Sequence, residues 1–388
     1  MTDLAAPNAT TTPPVGGGYL DDAAMIRRIF EHLDHGTTDL ADDTWREPVA
    51  NYHSPERLQA ELGVLRRYPT PFCPSTALSE PGSFIAREAA RTALVAVRGH
   101  DGVARVFRNS CRHRGTAVAE GSGCAKSLVC PYHGWVYRLD GELRHVPDEY
   151  GFPGLDKTTS GLVEVRAEER GGMVFVTQDS PALGTLDGMP DVLGPDHQFV
   201  ASFEMAVDAN WKVFLEGFLE GYHIKSTHPT TFFPYGYDNV NVIEYSGRNS
   251  RVTFPFRRIE KLRDVPEDQW DIDGRVTMVH HLFPNTIVAQ LSHHTSVAIL
   301  EPLTPARTNL VTYAFTNRIR SDRAETTDAK AAAQRDSAFV AQGTAEDRAM
   351  VERVQRGLSA GANDYIDLGR FEGALSHFHR NMTELLAR

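Results

Sequence analysis

The chain has 388 residues, 41% of them hydrophobic and 23% charged, with 40 Lys and Arg against 51 Asp and Glu for a net charge of −11. Its length excludes a disulfide-stapled miniprotein and sets a prior of about two to three domains, and its composition excludes a disordered or fibrous chain. The negative charge excludes a partner read through its phosphates, nucleic acid or anionic membrane, and no apolar run reaches the roughly 18 residues that a bilayer span needs.

Residues 1–18, rich in Ala, Thr and Pro and ending in Gly16-Gly17-Gly18, read as a flexible tail. They lack the cationic and apolar stretches of a secretory leader, so a cytoplasmic location is expected. Asp21-Asp22 followed by Ala23, Ile26, Phe30 and Leu33 predicts a helix in a segment 19–44 that packs on the C-terminal domain. A second helix is predicted over 55–67, where Leu58, Leu62 and Leu65 fall in register. Short β-like runs at 84–85, 94–97, 103–107, 162–165 and 173–176 are separated by turn signals such as His100-Asp101-Gly102 and Asp140-Gly141. They predict an all-β domain, bounded at 45–170. Beyond it, a helix near 210–223, strands near 251–256, 277–283, 285–300 and 310–316, and a long helix over 328–358 predict an α+β domain with an antiparallel sheet over 171–388.

Four cysteines, Cys73, Cys111, Cys124 and Cys130, are too few for a disulfide framework in a chain of this length. Cys111-Arg112-His113 is followed, sixteen residues on, by Cys130-Pro131-Tyr132-His133-Gly134-Trp135. Thiolates supply charge and soft donation and imidazoles supply neutral nitrogen, so these four can close a metal site. A structural zinc ion would use the same four residues. The alternation Cys-His, Cys-His differs from the paired cysteines and paired histidines of a zinc finger, and C-x-H with C-P-Y-H-G-W resembles the Rieske signature. That resemblance implies a [2Fe-2S] cluster with Cys111 and Cys130 on one iron and His113 and His133 on the other. Exchanging two thiolates for imidazoles raises the potential from about −400 mV to between roughly −150 and +300 mV. Gly115 and Gly134 are expected to let backbone N–H groups approach the cluster sulfurs. Cys73 and Cys124 are expected to be idle thiols.

A second constellation lies at Asn210-Trp211-Lys212, Glu220, His223 and His228-Pro229. Trp211, Phe214, Leu215, Phe218 and Tyr222 form an apolar stripe. Glu220 and His223 are helical neighbours at i, i+3, whereas His228 is about 140° round from His223, so the helix must bend or end between them. Pro229 disfavours helical geometry at His228. Two histidines need a carboxylate to complete a facial triad for ferrous iron. Asp347 shares an inward face with Val351, Val354 and Leu358, while Glu346 and Glu352 project about 100° and 140° from it. A helix N-terminal acid favoured by the dipole is the structural alternative for Asp347.

Taken in order, the two cysteine–histidine loops, N-W-K, E-x₂-H-x₄-H-P and E-D-x₄-E-x₂-Q resemble the α subunits of Rieske non-haem iron oxygenases over roughly residues 40–385. The resemblance implies an N-terminal Rieske β domain and a C-terminal helix-grip (START-like) catalytic domain with mononuclear Fe(II) on His223, His228 and Asp347. It implies a terminal oxygenase that takes electrons from NAD(P)H through a separate reductase, with or without a ferredoxin. Dioxygen then hydroxylates an organic substrate, aromatic in the first reading and a quaternary ammonium compound undergoing oxidative N-demethylation or hydroxylation in the second. A homotrimer or a multiple of it is implied, in which Glu220 links the iron histidine to the partner subunit's His133. The family more often carries Asp at the place of Glu220, and glutamate occurs mainly in a subset with carnitine and related monooxygenases.

Phe232, Phe233, Tyr235, Tyr237, Phe254 and Phe256 crowd the segments after the histidines and suit an apolar substrate or a caged cation. Ile287, Ala289, Leu291, His293, Val297 and Ile299 alternate as one strand face, which would aim His293 into the cavity. No G-x-G-x-x-G or P-loop motif occurs, so the chain has no nucleotide site of its own. The readings from other classes are a zinc-stabilised ligand-binding module and an electron carrier with a degenerate catalytic domain.

Overall fold

The computed structural model describes residues 18–291, 293–317 and 328–388, so the tail expected over 1–18 lies outside the described residues except for Gly18. The helices are α1 (Asp22–His35), α2 (Pro55–Arg67), α3 (Trp211–Glu216), α4 (Ile224–Thr227), α5 (Asp328–Leu358) and α6 (Gly373–Leu386). Helix α1 begins where Asp21 accepts the N–H of Ala24 at 2.8 Å and stops at Gly36, at a φ of 60°. Its buried stripe of Met25, Ile26, Ile29 and Phe30 packs on Ile259, Leu262, Ile272 and Val276. Ser54 caps α2, and Pro55 fills its first position.

The first sheet has seven strands in the order Thr70–Pro74, Met173–Thr177, Glu164–Arg170, Ala104–Arg108, Thr92–Arg98, Ser83–Ala89, Gly121–Cys124. A three-stranded sheet, Leu128–Val129, Val136–Tyr137 and Leu143–His145, shares a separate small core with Val95, Val97 and Phe107. The C-terminal sheet also has seven strands, all antiparallel, ordered His197–Val207, Arg307–Asn317, His294–Thr304, Thr286–Gln290, Val276–Leu282, Asn249–Pro255, Val242–Ser246. One of its faces sets Val288, Val297, Ile299, Val311 and Phe315 against Phe72, Ile85 and Ala96 of the first sheet. The buried pair Arg87–Glu301, at 2.7 Å, crosses the same boundary. Its other face sets Val252, Val279, Ile287 and Ala289 toward Phe378 and Met382 of α6, in the core shared with α3.

Three expectations change. Residues 45–68 fall within the β domain on sequence, yet Trp45–Pro48 pairs with Tyr365–Leu368, and Tyr52, Val64 and Tyr68 belong to the C-terminal core. Met173–Thr177, past the expected boundary at 170, is an inner strand of the first sheet. The single strand expected over 285–300 is a hairpin, Thr286–Gln290 and His294–Thr304, with Gln290 opposite Thr295. Reversal at the hairpin puts Val297 and Ile299 on the face opposite Ile287 and Ala289, because antiparallel partners share a face. No helix among the described residues is long and apolar enough to cross a membrane.

Candidate metal centres

Cys111 and Cys130 each open the same backbone turn. Gly115 N–H donates to Cys111 O at 2.9 Å, and Gly134 N–H donates to Cys130 O at 3.0 Å. Both glycines sit at positive φ, 83° and 72°, where a side chain would strain the turn. The glycines' own N–H groups close the loops, while the backbone N–H of His113 is directed at the Cys111 sulfur. The loops bring the rings of His113 and His133 to 4.6 Å between centroids. Both cysteines are buried and both histidines partly exposed, which suits a group with a thiolate end and an imidazole end. The Nδ1 atoms of His113 and His133 are buried without a hydrogen-bond partner, a cost that a metal taking their lone pairs removes. His113 stacks on Trp135 at 5.1 Å, with Phe152 edge-on.

Burial and the neighbouring Cys130 push the Cys111 thiol up, so a thiolate there needs a cation beside it. Tyr137, which no motif in the sequence marks, has its hydroxyl 3.2 Å from Cys111 Sγ and accepts the Arg112 N–H at 2.9 Å. The other two cysteines lie elsewhere. Cys73 is buried in the core between the sheets, its thiol pushed up to about 12 by burial, and Cys124 is exposed on the edge strand Gly121–Cys124.

Asn210 caps α3 by accepting the Lys212 N–H at 3.0 Å. The helix expected to run to His223 ends at Glu216. Glu220 takes the N–H groups of Tyr222 and His223 on its carboxylate, bonds that a continuing helix would give to carbonyls four residues back. Gly221 sits where a Cβ would meet Asn241 Oδ1 at 2.3 Å, so a larger residue is excluded from the turn. Helix α4 then spans the interval between the two histidines, with His228 out of helical geometry at φ −118° and ψ 45° before Pro229. Their rings come to 5.3 Å between centroids.

Helix α5 supplies the third group. The ligand atoms of His223, His228 and Asp347 lie within 4.8 Å of one another. Asp347 Oδ1 is 3.5 Å from His223 Nε2 and 2.8 Å from His228 Nε2. The other nitrogen of each ring meets a carboxylate: His223 Nδ1 pairs with Glu220, and His228 Nδ1 with Glu346 at 2.7 Å. Glu346 also accepts the Thr231 hydroxyl at 2.5 Å. Carboxylates on Nδ1 hold both rings in the orientation that turns Nε2 to a common point. Sequence reasoning turned Glu346 away from the site; its offset from Asp347 on the helix is what aims it at the far side of His228.

Burial works against a charged His223, yet Asp347 and Glu220 flank the ring and push it up to about 10. Burial likewise works against ionised Asp347, and the two imidazoles outweigh it and hold the carboxyl below its usual range. Two imidazoles and three carboxylates at one point carry an excess of negative charge that a divalent cation neutralises. The inner donors, two imidazoles and one carboxylate, are those of non-haem ferrous sites with open positions, so the residues fit that metal.

A cavity of about 120 Å³ opens on these groups, lined by Phe218, Phe232, Tyr237, Phe254, Phe256 and Phe339 together with Val279, Ala289 and Leu291. No lysine or arginine is among the described residues that line it. Of the seven side chains expected around the substrate, Phe232, Tyr237, Phe254 and Phe256 line the cavity, and Phe233, Tyr235 and His293 do not. Phe233 lies under Lys225 and Arg257. His293 stands at the hairpin reversal, where its carbonyl accepts the Asn317 N–H at 3.2 Å, so the alternation that aimed it inward does not extend that far. Phe339, edge-on to Phe232 at 4.8 Å, escaped the sequence reading because it lies on α5, far along the chain from the other rings.

The profile of the ring hydroxylating alpha subunit (catalytic domain) matches residues 195–388, and that of the Rieske [2Fe-2S] domain matches residues 69–156. The carnitine monooxygenase oxygenase subunit of Escherichia coli (strain K12) is 36% identical over 167 residues, 40% of this chain and 44% of the relative. The chain thus matches less than half the length of the carnitine monooxygenase relatives. The chloroplastic choline monooxygenase of Spinacia oleracea is 28% identical over 332 residues, 79% of this chain and 70% of that protein. Among solved structures, a quaternary ammonium Rieske monooxygenase with L-carnitine superposes with a TM-score of 0.73 at 24% identity, covering 89% of this chain and 96% of that one. Naphthalene 1,2-dioxygenase with indole superposes with a TM-score of 0.72 at 20% identity, covering 88% and 92%; both likenesses are of fold.

Proposed function

The chain belongs to the ring hydroxylating alpha subunit family, and from that premise we propose that it is the terminal oxygenase of a Rieske non-haem iron system. Cys111, Cys130, His113 and His133 would hold the [2Fe-2S] cluster, and His223, His228 and Asp347 the mononuclear iron. One observation carries this reading: two imidazoles and a buried carboxylate converge within 4.8 Å, and each imidazole is backed by a carboxylate of its own. When bound, the iron activates dioxygen for insertion into the substrate, on electrons that a separate NAD(P)H reductase delivers, directly or through a ferredoxin. Glu220 and Glu346 keep both Nε2 atoms turned to the metal position. The rings of Phe218, Phe232, Phe254, Phe256 and Phe339 exclude water and give the substrate apolar faces to lie against. In a trimer of such chains, Glu220 would face the histidine end of a neighbour's cluster.

An apolar aromatic compound fits this lining first. Oxidation of a quaternary ammonium cation is the second reading, favoured by aromatic faces that can cage a cation and by the names of the carnitine and choline relatives. Iron and acid-labile sulfide analysis, followed by turnover of a panel of both compound classes under labelled dioxygen with a surrogate reductase, tests the proposal. Three irons and two sulfides per chain, and label in the product, are expected; a colourless protein holding only zinc would sink it.

A further inference from the structure

Within a chain of net charge −11, residues 98–145 carry eight Lys and Arg against four Asp and Glu. Four of these cations, Arg105, Lys126, Arg138 and Arg144, line a groove of about 320 Å³ with Asp101 and Asp140. Asp101 is engaged by Arg105 through both oxygens, at 2.9 and 2.7 Å. Lys126 and Arg144 are exposed, and among the described residues neither has an ion-pair partner. Val103, on the hairpin whose residues 99–101 border the groove, is 49% exposed and adds an apolar spot to a cationic rim.

The groove is joined to the cluster loops by the chain itself. Arg138 and Leu139 follow directly on Tyr137, whose hydroxyl lies 3.2 Å from Cys111 Sγ. Lys126 and Ser127 lead into the strand Leu128–Val129, and Cys130 follows directly on it. A local positive field in an otherwise acidic molecule steers an oppositely charged partner to one place, and weak electron-transfer encounters need only a small contact area. We propose that this groove receives an acidic one-electron carrier protein, so that electrons enter the cluster from its thiolate side. Each encounter oxidises the carrier by one electron and reduces the cluster by one. The proposal rests on the oxygenase reading above and deepens it by assigning the donor's docking surface.

The test uses the holoprotein and an acidic plant-type [2Fe-2S] ferredoxin, kept reduced by NADPH and its reductase, with bleaching of the Rieske absorbance followed by stopped flow. The doubly reversed variant Lys126→Glu, Arg144→Glu is expected to be reduced about tenfold more slowly at low ionic strength and to lose the salt dependence of the wild type. Single turnover of the dithionite-reduced variant is expected to equal that of the wild type, which separates docking from chemistry. Reduction of the variant at the wild-type rate with the same salt slope overturns the proposal, as does a wild type that the ferredoxin does not reduce. A preparation with no iron–sulfide absorbance overturns instead the oxygenase reading on which it stands.

Discussion

Two glutamates decide what the candidate iron residues can do. Glu346 holds His228 Nδ1 at 2.7 Å and is itself held by Thr231. Removing such an orienting carboxylate typically costs 10- to 100-fold in metal affinity. Glu346→Ala is therefore expected to weaken iron binding by about that factor, read as iron retained against a chelator, with Glu346→Gln recovering most of it. Glu220 serves its own chain twice, closing the turn at Tyr222 and His223 and pairing with His223 Nδ1. Glu220→Gln is expected to keep both metal centres loaded while slowing oxidation of the pre-reduced cluster during turnover. Wild-type turnover in that variant would remove the bridging role. Neither glutamate's task can be read from spacing alone: Glu220 lies at a helical interval from His223 in a stretch that is not helical.

At the scale of elements, local chemistry made some boundaries legible and hid others. Helix α2 spans Pro55–Arg67 as expected because Ser54, Pro55 and the leucine register all act within the element. Helix α3 stops at Glu216, and past it Glu220 takes two N–H groups that a continuing helix would give to carbonyls, of which a hydrophobic stripe carries no sign. Glycine in the middle of α5 has a cause that is tertiary. At Gly343 a Cβ would come within 1.9 Å of Phe232 Cζ, so the ring that lines the cavity is seated on the helix backbone. Overpacking of this kind costs about 1–3 kcal/mol. Gly343→Ala is expected to lower stability by roughly that amount in thermal or denaturant unfolding and to displace Phe232 from the cavity wall. Adding Phe232→Ala should return most of the loss that Gly343→Ala causes; strictly additive losses in that double-mutant cycle would show that the contact is not responsible.

Across the whole molecule, the C-terminal sheet is enclosed on both faces, and this burial sets an acid limit. Burial depresses His280 to about 3 and His281 and His377 to about 4, against an ordinary value near 6.5. As pH falls below about 6.5 the unfolded chain takes up protons that the folded chain refuses, so folding stability falls with pH. Each such histidine contributes a loss of about 1.4 kcal/mol per pH unit until its folded-state value is reached. Denaturant unfolding at pH 7 and pH 5 is expected to show a clear loss of stability at the lower pH. A flat profile, or one restored to full stability by replacing any surface carboxylate, would place the acid sensitivity elsewhere.

The two candidate donor sets could be read from sequence because their spacing is local: C-x-H, C-P-Y-H-G-W and E-x₂-H-x₄-H-P each lie within a few residues, where turn geometry leaves little choice. The family, its two cofactors and the α+β class follow from the same short motifs and from hydrophobic periodicity. Periodicity gives the face of a strand and not its partner, so the place of Met173–Thr177 in the first sheet, the pairing of Trp45–Pro48 with Tyr365–Leu368 and the hairpin between Gln290 and His294 needed the fold. So did Glu346 on His228, Tyr137 on Cys111 and Phe339 in the cavity wall. These are contacts between residues far apart in the chain, and only packing decides which distant side chains meet.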